Sequence, residues 1–76
     1  MGTAEYYLRD LGTLLKKGAL VSKASCAAAD PTDRDFYSGR LLAYNEVLSL
    51  MVTQAAAFGL DLDTIGLTGF DPDQEL

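Results

Sequence analysis

Carboxylate side chains are the residues of this chain most capable of chemistry, and one cluster of them has the spacing of a calcium loop. Asp61 and Asp63 would occupy the first and third positions of an EF-hand loop, with Gly66 at its sixth position. The fifth position, however, is Ile65, and the twelfth, which should be a bidentate glutamate, is Pro72. We therefore interpret these acids as helix caps and solvated residues, and we predict no metal site.

Catalysis would need a base that the sequence does not supply. There is no histidine, and the single cysteine, Cys26, has no neighbouring base to activate it. The paired carboxylates, Asp33 with Asp35 and Asp61 with Asp63, stand where helix capping explains them. We predict no enzymatic activity, no catalytic residue and no cofactor.

One spacing is typical of DNA-binding proteins, but the charges around it are not. Ala55, Gly59 and Ile65 have the spacing of the alanine, the turn glycine and the buried aliphatic residue of a helix-turn-helix unit. The helix that would enter the groove is then the segment 61–70, which has no lysine or arginine. Because phosphate contacts need cations, we predict no nucleic-acid binding.

Length and composition limit how stable a monomer can be. The 76 residues make one domain, 1–76, and a single core of this size rarely supplies more than about 3–5 kcal/mol. One cysteine cannot form an intrachain disulfide, and a chain without histidine or a cysteine cluster lacks the ligands of a structural zinc site. Oligomerisation or a partner protein is the remaining source of stability.

The apolar stretch 41–60 is long enough to cross a bilayer. We interpret it instead as a core helix because it contains several polar residues, namely Asn45, Glu46, Ser49, Thr53 and Gln54. Residues 1–10 do not show the basic start and apolar run of a signal peptide. Together with the unpaired thiol of Cys26, this predicts a protein of the reducing cytoplasm that does not enter membranes.

Charge is distributed unevenly along the chain. The net charge is −5, with +2 on residues 1–29 and −7 on residues 30–76. The simplest interpretation is that the acids keep the protein soluble. The second interpretation is that they offer an acidic surface to a partner protein with a basic surface.

A first amphipathic helix is predicted for residues 3–28, with Thr3 as its N-cap. Its apolar stripe follows a heptad rhythm through Tyr7, Leu11, Leu14, Gly18 and Val21. Gly12 and Gly18 each weaken a helix by roughly 1 kcal/mol relative to alanine. Either they are tolerated weak points, or they allow a neighbouring helix to approach closely.

The chain is then predicted to turn at residues 29–32. The residue before a proline is pushed away from helical angles, and Pro31 suits the first position of a new helix with Asp30 as its N-cap. Thr32 is the alternative cap. Because the connection is so short, the two helices are expected to form an antiparallel hairpin.

The second helix, predicted for residues 32–58 with Gly59 as its C-terminal cap, carries two apolar seams. The first seam contains Tyr37, Leu41, Tyr44, Leu48, Met51, Ala55 and Phe58, and the second contains Phe36, Ala43, Val47, Leu50 and Ala57. A hairpin partner covers one seam, so a helix with two must be covered on another side as well. The expected core residues are Leu11, Leu14, Leu41, Leu48 and Met51.

The C-terminal tail, residues 59–76, is also rich in apolar residues. It contains Leu60, Leu62, Ile65, Leu67 and Phe70, which we expect to fold back over the open end of the hairpin. One short turn, residues 62–65, is predicted to end at Gly66. The acidic residues 71–76 are expected to fray.

These patterns predict an all-α fold: an antiparallel two-helix hairpin with a short C-terminal tail, assembling as a homodimeric four-helix bundle. The predicted function is that of a small protein-interaction module, an adaptor or regulator that self-associates through its second helix. The predicted interface residues are Phe36, Leu42, Tyr44, Val47, Leu50 and Val52. The alternative is a phage- or plasmid-type inhibitor or antitoxin-like protein, which binds a host protein through its apolar seam or its acidic surface.

Overall fold

The computed structural model describes residues 2–76, which form three α-helices and no β-strand. Helix α1 spans Thr3–Ala28, α2 spans Arg34–Ala57 and the short α3 spans Pro72–Glu75. The two long helices run antiparallel and pack against each other in a molecule of 45 × 21 × 16 Å. The predicted all-α hairpin is therefore confirmed.

The hinge between α1 and α2 is longer than predicted. Ala29 leaves α1 in an extended conformation, with φ −72° and ψ 145°. The Asp33 N–H donates to the Asp30 carbonyl over 2.9 Å, which closes a separate turn before α2. The helix begins at Arg34, whose guanidinium donates to the Ala29 carbonyl over 3.3 Å. The predicted start at residue 32 is thus two residues too early, because Pro31 takes part in the turn and not in the helix.

Two other predicted helix ends have a mixed outcome. Thr3 is not the N-cap of α1; Gly2 holds that position, and its N–H donates to the Glu5 carboxylate over 3.5 Å. At the end of α2 the prediction is confirmed. Gly59 has φ +69°, its N–H donates to the Ala56 carbonyl, and the following N–H donates to the Ala55 carbonyl over 2.8 Å. This pair of backbone hydrogen bonds is the Schellman motif. The motif favours glycine because the residue that follows the helix has a positive φ.

The tail supplies half of the buried core. The six buried apolar residues are Ala19, Leu48, Ala55, Ile65, Leu67 and Phe70, and the last three belong to the tail. Leu62 begins a short turn that ends at Gly66, which has φ +75°. The predicted turn is confirmed. The tail does fold back on the hairpin, but it packs along one side and is not confined to the open end, because Phe70 lies beside Lys16 and Pro72 beside Asn45. Residues 71–76 do not fray, since Pro72 is buried and Leu76 packs against the core.

Small residues decide which side of α1 faces inward. The buried positions of this helix are Gly12, Ala19 and Ser22, whereas Leu14 is 56% exposed. A β-carbon at Gly12 would overlap the carbonyl oxygen of Ile65, so the main chain of the tail lies directly on α1. The expectation that Leu14 is buried is therefore wrong, because the backbone contact turns it outward.

The glycine contacts favour close approach over tolerated weak points. At Gly18 a β-carbon would stand 2.5 Å from the Tyr44 hydroxyl, so this glycine makes room for a side chain of α2. Gly12 makes room for the tail and not for a helix.

Of the other expected core residues, Leu48 is fully buried, and Leu11, Leu41 and Met51 are half-buried.

We expect Leu48→Ala to lower the free energy of unfolding by roughly 2–5 kcal/mol, because truncation leaves a cavity that the surrounding structure cannot fill. Urea denaturation followed by circular dichroism measures this change. Leu42→Ala is the matched control, since Leu42 is 59% exposed and should cost less than about 0.5 kcal/mol. A Leu48→Ala protein that melts like wild type would contradict the assignment of this core.

Candidate interaction surface

The C-terminal tail runs back along one side of the hairpin and past its middle. The Asn45 side-chain amide donates to the Pro72 carbonyl over 3.2 Å, and the Lys23 ammonium donates to the Glu75 carbonyl over 2.6 Å. The Lys16 ammonium lies 5.5 Å from the centre of the Phe70 ring, within the range of a cation–π contact. Each long helix therefore contributes side chains that hold the tail.

The end of the tail is ordered by its own cap. The Asp73 N–H donates to the Asp71 carboxylate over 3.0 Å, and the Asp71 N–H donates to the Glu75 carboxylate over 3.1 Å. Pro72 follows the cap residue, a position where its missing N–H costs nothing. These two hydrogen bonds satisfy N–H groups at the start of the helix, and they explain why these acidic residues form a helical turn.

The tail leaves one side of α2 uncovered. Asn45 and Val52, which face the tail and the core, lie roughly 180° around the helix from Val47 and Leu50. Phe36, Val47 and Leu50 are all exposed, and Ala43 lies between them at helical spacing. This is the second apolar seam of the sequence, and no part of the described chain covers it.

Helix α1 adds a matching stripe on the same side of the hairpin. Tyr7, Leu14 and Val21 follow one another at intervals of seven residues, so they lie on nearly one line along the helix. Lys16 and Lys23, which contact the tail, lie roughly on the opposite side of α1. We call the surface formed by both stripes the apolar face; its residues are Tyr7, Leu14, Val21, Phe36, Val47 and Leu50, which are between 45% and 68% exposed.

The six predicted interface residues fall into two groups. Phe36, Leu42, Val47 and Leu50 are exposed, although Leu42 lies beside Leu76 on the edge of α2 that faces the tail. Tyr44 and Val52 are half-buried and pack against the core of the hairpin itself. The surface free to meet another molecule is thus centred on Phe36, Val47 and Leu50.

Sequence reasoning missed the contribution of α1 to this face. It placed Tyr7, Leu14 and Val21 inside the hairpin because their heptad spacing is that of a core seam. The signal that distinguishes the two sides is the line of small residues Gly12, Ala19 and Ser22, which mark the side where other backbone segments approach most closely.

Charge is distributed unevenly between the hairpin and the tail. Residues 1–58 hold all six basic side chains and six of the eleven acidic ones, so the hairpin is neutral. The other five acids lie in the tail, which has no basic residue and therefore carries the whole net charge of −5. The apolar face is bordered by Asp10 and Lys17 on α1 and by Arg40 and Glu46 on α2, two charges of each sign.

The chain is extended and exposes more surface than its mass requires. Its accessible surface is 5168 Å², against about 4500 Å² for a typical monomer of 8.2 kDa. Its radius of gyration is 13.6 Å, against about 11.4 Å for a compact domain of this length. Among residues 2–76, eleven large hydrophobic side chains contribute to this exposed surface.

Residues 2–76 were also compared with the requirements of a metal site and of a membrane-spanning helix. No group of three or more His, Cys, Asp or Glu side chains in this range is arranged to hold a metal ion, and Cys26 is a free, half-buried thiol. Within the same range, no helix combines the length and the apolar character needed to cross a membrane. Comparisons with known protein families, characterised proteins and solved structures found no match.

Proposed function

We propose that this protein is a non-enzymatic protein-interaction module, an adaptor or regulator, and that it acts as a homodimer joined through the apolar face. In this dimer two hairpins stack face to face as a four-helix bundle, and the two tails lie on the outside. The observation that carries the proposal is the uncovered stripe of Phe36, Val47 and Leu50 on α2, extended by Leu14 on α1.

The energetic reason is the cost of leaving this face in water. Each large apolar side chain that is buried contributes about 1.5–3 kcal/mol, and the face contains six of them. Because these side chains are between 45% and 68% exposed in the single chain, their further burial contributes a little over half of that sum, about 5–10 kcal/mol, which exceeds the roughly 3–5 kcal/mol that a single small core supplies. A side of 45 × 21 Å is also large enough for the roughly 800 Å² that each partner buries in a standard interface.

The charge distribution supports a second copy as the partner. Two chains of net charge −5 repel each other, but three of the acids, Asp71, Asp73 and Glu75, belong to the end of the tail, which Asn45 and Lys23 hold on the side away from the apolar face. The apolar faces that meet are bordered by Asp10, Lys17, Arg40 and Glu46, which are two charges of each sign. A two-fold interface is self-complementary, and this is the commonest arrangement of soluble oligomers.

A foreign target is the second candidate, and the acidity of the tail is the observation that favours it. Asp61, Asp63, Asp71, Asp73 and Glu75 are all exposed and no cation lies among them in the sequence. An inhibitor or antitoxin-like protein of phage or plasmid type would use this side, or the apolar face, to bind a host protein with a basic surface.

Light scattering at micromolar concentration tests the homodimer. We expect wild type to have about twice the monomer mass of 8.2 kDa, and we expect Val47→Glu with Leu50→Glu to be a monomer, because a buried unpaired charge in an interface is strongly unfavourable. The control, Thr53→Glu with Gln74→Glu, adds the same charge at exposed positions outside the apolar face and should remain a dimer.

The possible results separate the two candidates. A wild-type monomer with a cooperative melt that does not depend on concentration would refute self-association. A poorly folded wild-type monomer that gains helix when a partner is added would favour the foreign target. Equal masses for wild type and the Val47→Glu, Leu50→Glu variant, both dimeric, would show that the dimer uses another surface.

A further inference from the structure

An apolar pocket opens at the end of the hairpin where the tail begins. It has a volume of about 170 Å³ and is lined by all three parts of the fold: by Leu8 of α1, by Met51, Gln54 and Phe58 of the α2 end, and by Leu60 and Ile65 of the tail. An apolar cavity of about 150 Å³ is large enough to bind benzene. The pocket therefore has the size and lining that suit a phenyl ring.

Six exposed apolar residues of the hairpin, three on each long helix, are spaced symmetrically about one level of the molecule. On α2, Phe36 and Phe58 each stand eleven residues from Val47, which corresponds to roughly 16 Å in either direction along a helix. On α1, Tyr7 and Val21 each stand seven residues from Leu14. The two centres lie side by side, because Val47 and the neighbour of Leu14, Leu15, line the same groove between the helices.

We propose that Phe36 of a second copy of this chain fills the pocket at the open end, in a dimer whose two-fold axis passes the level of Leu14 and Val47. This inference rests on the homodimer proposed above and specifies its geometry. Each helix lies antiparallel on its own counterpart, so that the ring of Phe36 reaches the level of Phe58 on the other copy. Both pockets are filled at once, and Val47 meets Val47 at the axis.

The charges along α1 agree with this register. When α1 lies antiparallel on its counterpart with Leu14 at the centre, residue 10 of one copy stands one helical position from residue 17 of the other. Asp10 therefore faces Lys17 twice across the interface. The competing arrangement places α1 of one copy over α2 of the other, which brings Leu14 close to Val47 and takes Phe36 away from the pocket.

Disulfide cross-linking distinguishes the two arrangements, because a disulfide needs β-carbons within about 4.5 Å of each other. The background is Cys26→Ser. We expect Val47→Cys alone and Leu14→Cys alone each to form a covalent dimer under mild oxidation, whereas the exposed control Thr53→Cys does not. Cross-linking only in the double variant, Leu14→Cys with Val47→Cys, or in none of them, would overturn the proposed register.

Truncation of the ring tests the pocket itself. We expect Phe36→Ala to raise the dimer dissociation constant by roughly 1000-fold, because each of the two identical insertions contributes about 30-fold as a buried aromatic anchor. Tyr6→Ala is the matched control, since Tyr6 is an exposed aromatic residue of α1 outside the apolar face. Equal dissociation constants for the two variants would overturn the proposal that Phe36 fills the pocket.

The outcomes for register and for dimerisation are separable. If light scattering gives a folded wild-type monomer, the homodimer itself is wrong, and the register falls with it. If wild type is a dimer but the single cysteine variants do not cross-link, the homodimer stands and only the antiparallel pairing of like helices is wrong. Circular dichroism of each variant establishes that a loss of association is not a loss of folding.

Discussion

A chain that ends after Asp61 is expected to be unfolded at room temperature. The truncation removes Ile65, Leu67 and Phe70, which are half of the buried apolar core. Burial of three such side chains contributes about 5–9 kcal/mol, which exceeds the roughly 3–5 kcal/mol expected from one small core. The truncation also exposes the backbone of α1 around Gly12, from which the tail excludes water in the intact chain.

Circular dichroism and thermal denaturation of the truncated chain measure this effect. The truncation keeps Gly59 and Leu60, so the cap of α2 stays intact and a loss of helix cannot be attributed to it. Gln74→Ala, an exposed position in the same tail, is the control and should melt like wild type. A truncated chain with a cooperative melt within a few degrees of wild type would show that the hairpin folds without its tail.

The elements that sequence reasoning found are those marked by local chemistry. Gly59 and Gly66 both hold the positive φ that ends a helical turn, and glycine at the end of an apolar run predicts this directly. The break near Pro31 was found for the same reason, because proline restricts the residue before it. The length of the turn could not be predicted in this way. A helix capped by Asp30 and a helix that starts later, after a separate turn, both satisfy those local rules.

The side of each helix that faces the core could not be predicted from spacing alone. On α1 two stripes have helical spacing, one through Leu14 and one through Leu15, and only Leu15 packs against the core. The choice depends on the tail, which fills the groove beside Gly12 and turns Leu14 outward. The route of the tail is a long-range contact, and it leaves no periodic signal in α1.

The same dependence explains the outcome for the predicted interface. On α2 two seams were predicted, and the second was expected to be covered by another chain, with the tail reaching only the open end of the hairpin. The structure instead covers Val52 with the core and tail and leaves Val47 and Leu50 exposed. Sequence therefore indicates how much apolar surface must be covered, and the path of the tail decides which part of it remains for a partner.

The contact between the tail and α1 makes Gly12 sensitive to even the smallest added side chain. We expect Gly12→Ala to lower the free energy of unfolding by about 2–3 kcal/mol, because overpacking against a rigid neighbour costs more than the helix gains from alanine. The added β-carbon would overlap the Ile65 carbonyl, which is main chain and has no rotamer to change. The turn before Gly66 would have to move away from α1 as a unit.

Gly39 is the matched control for this substitution, because it also lies within a long helix but has no atom within 4 Å of an added β-carbon. Gly39→Ala is expected to raise the free energy of unfolding by about 0.5–1 kcal/mol, since alanine favours the helix and nothing opposes it. Urea denaturation of both variants should thus shift their midpoints in opposite directions. If both substitutions stabilise the protein, the tail does not lie on the backbone of α1, and the apolar face must be defined anew, because the position of the tail is what turns Leu14 toward solvent.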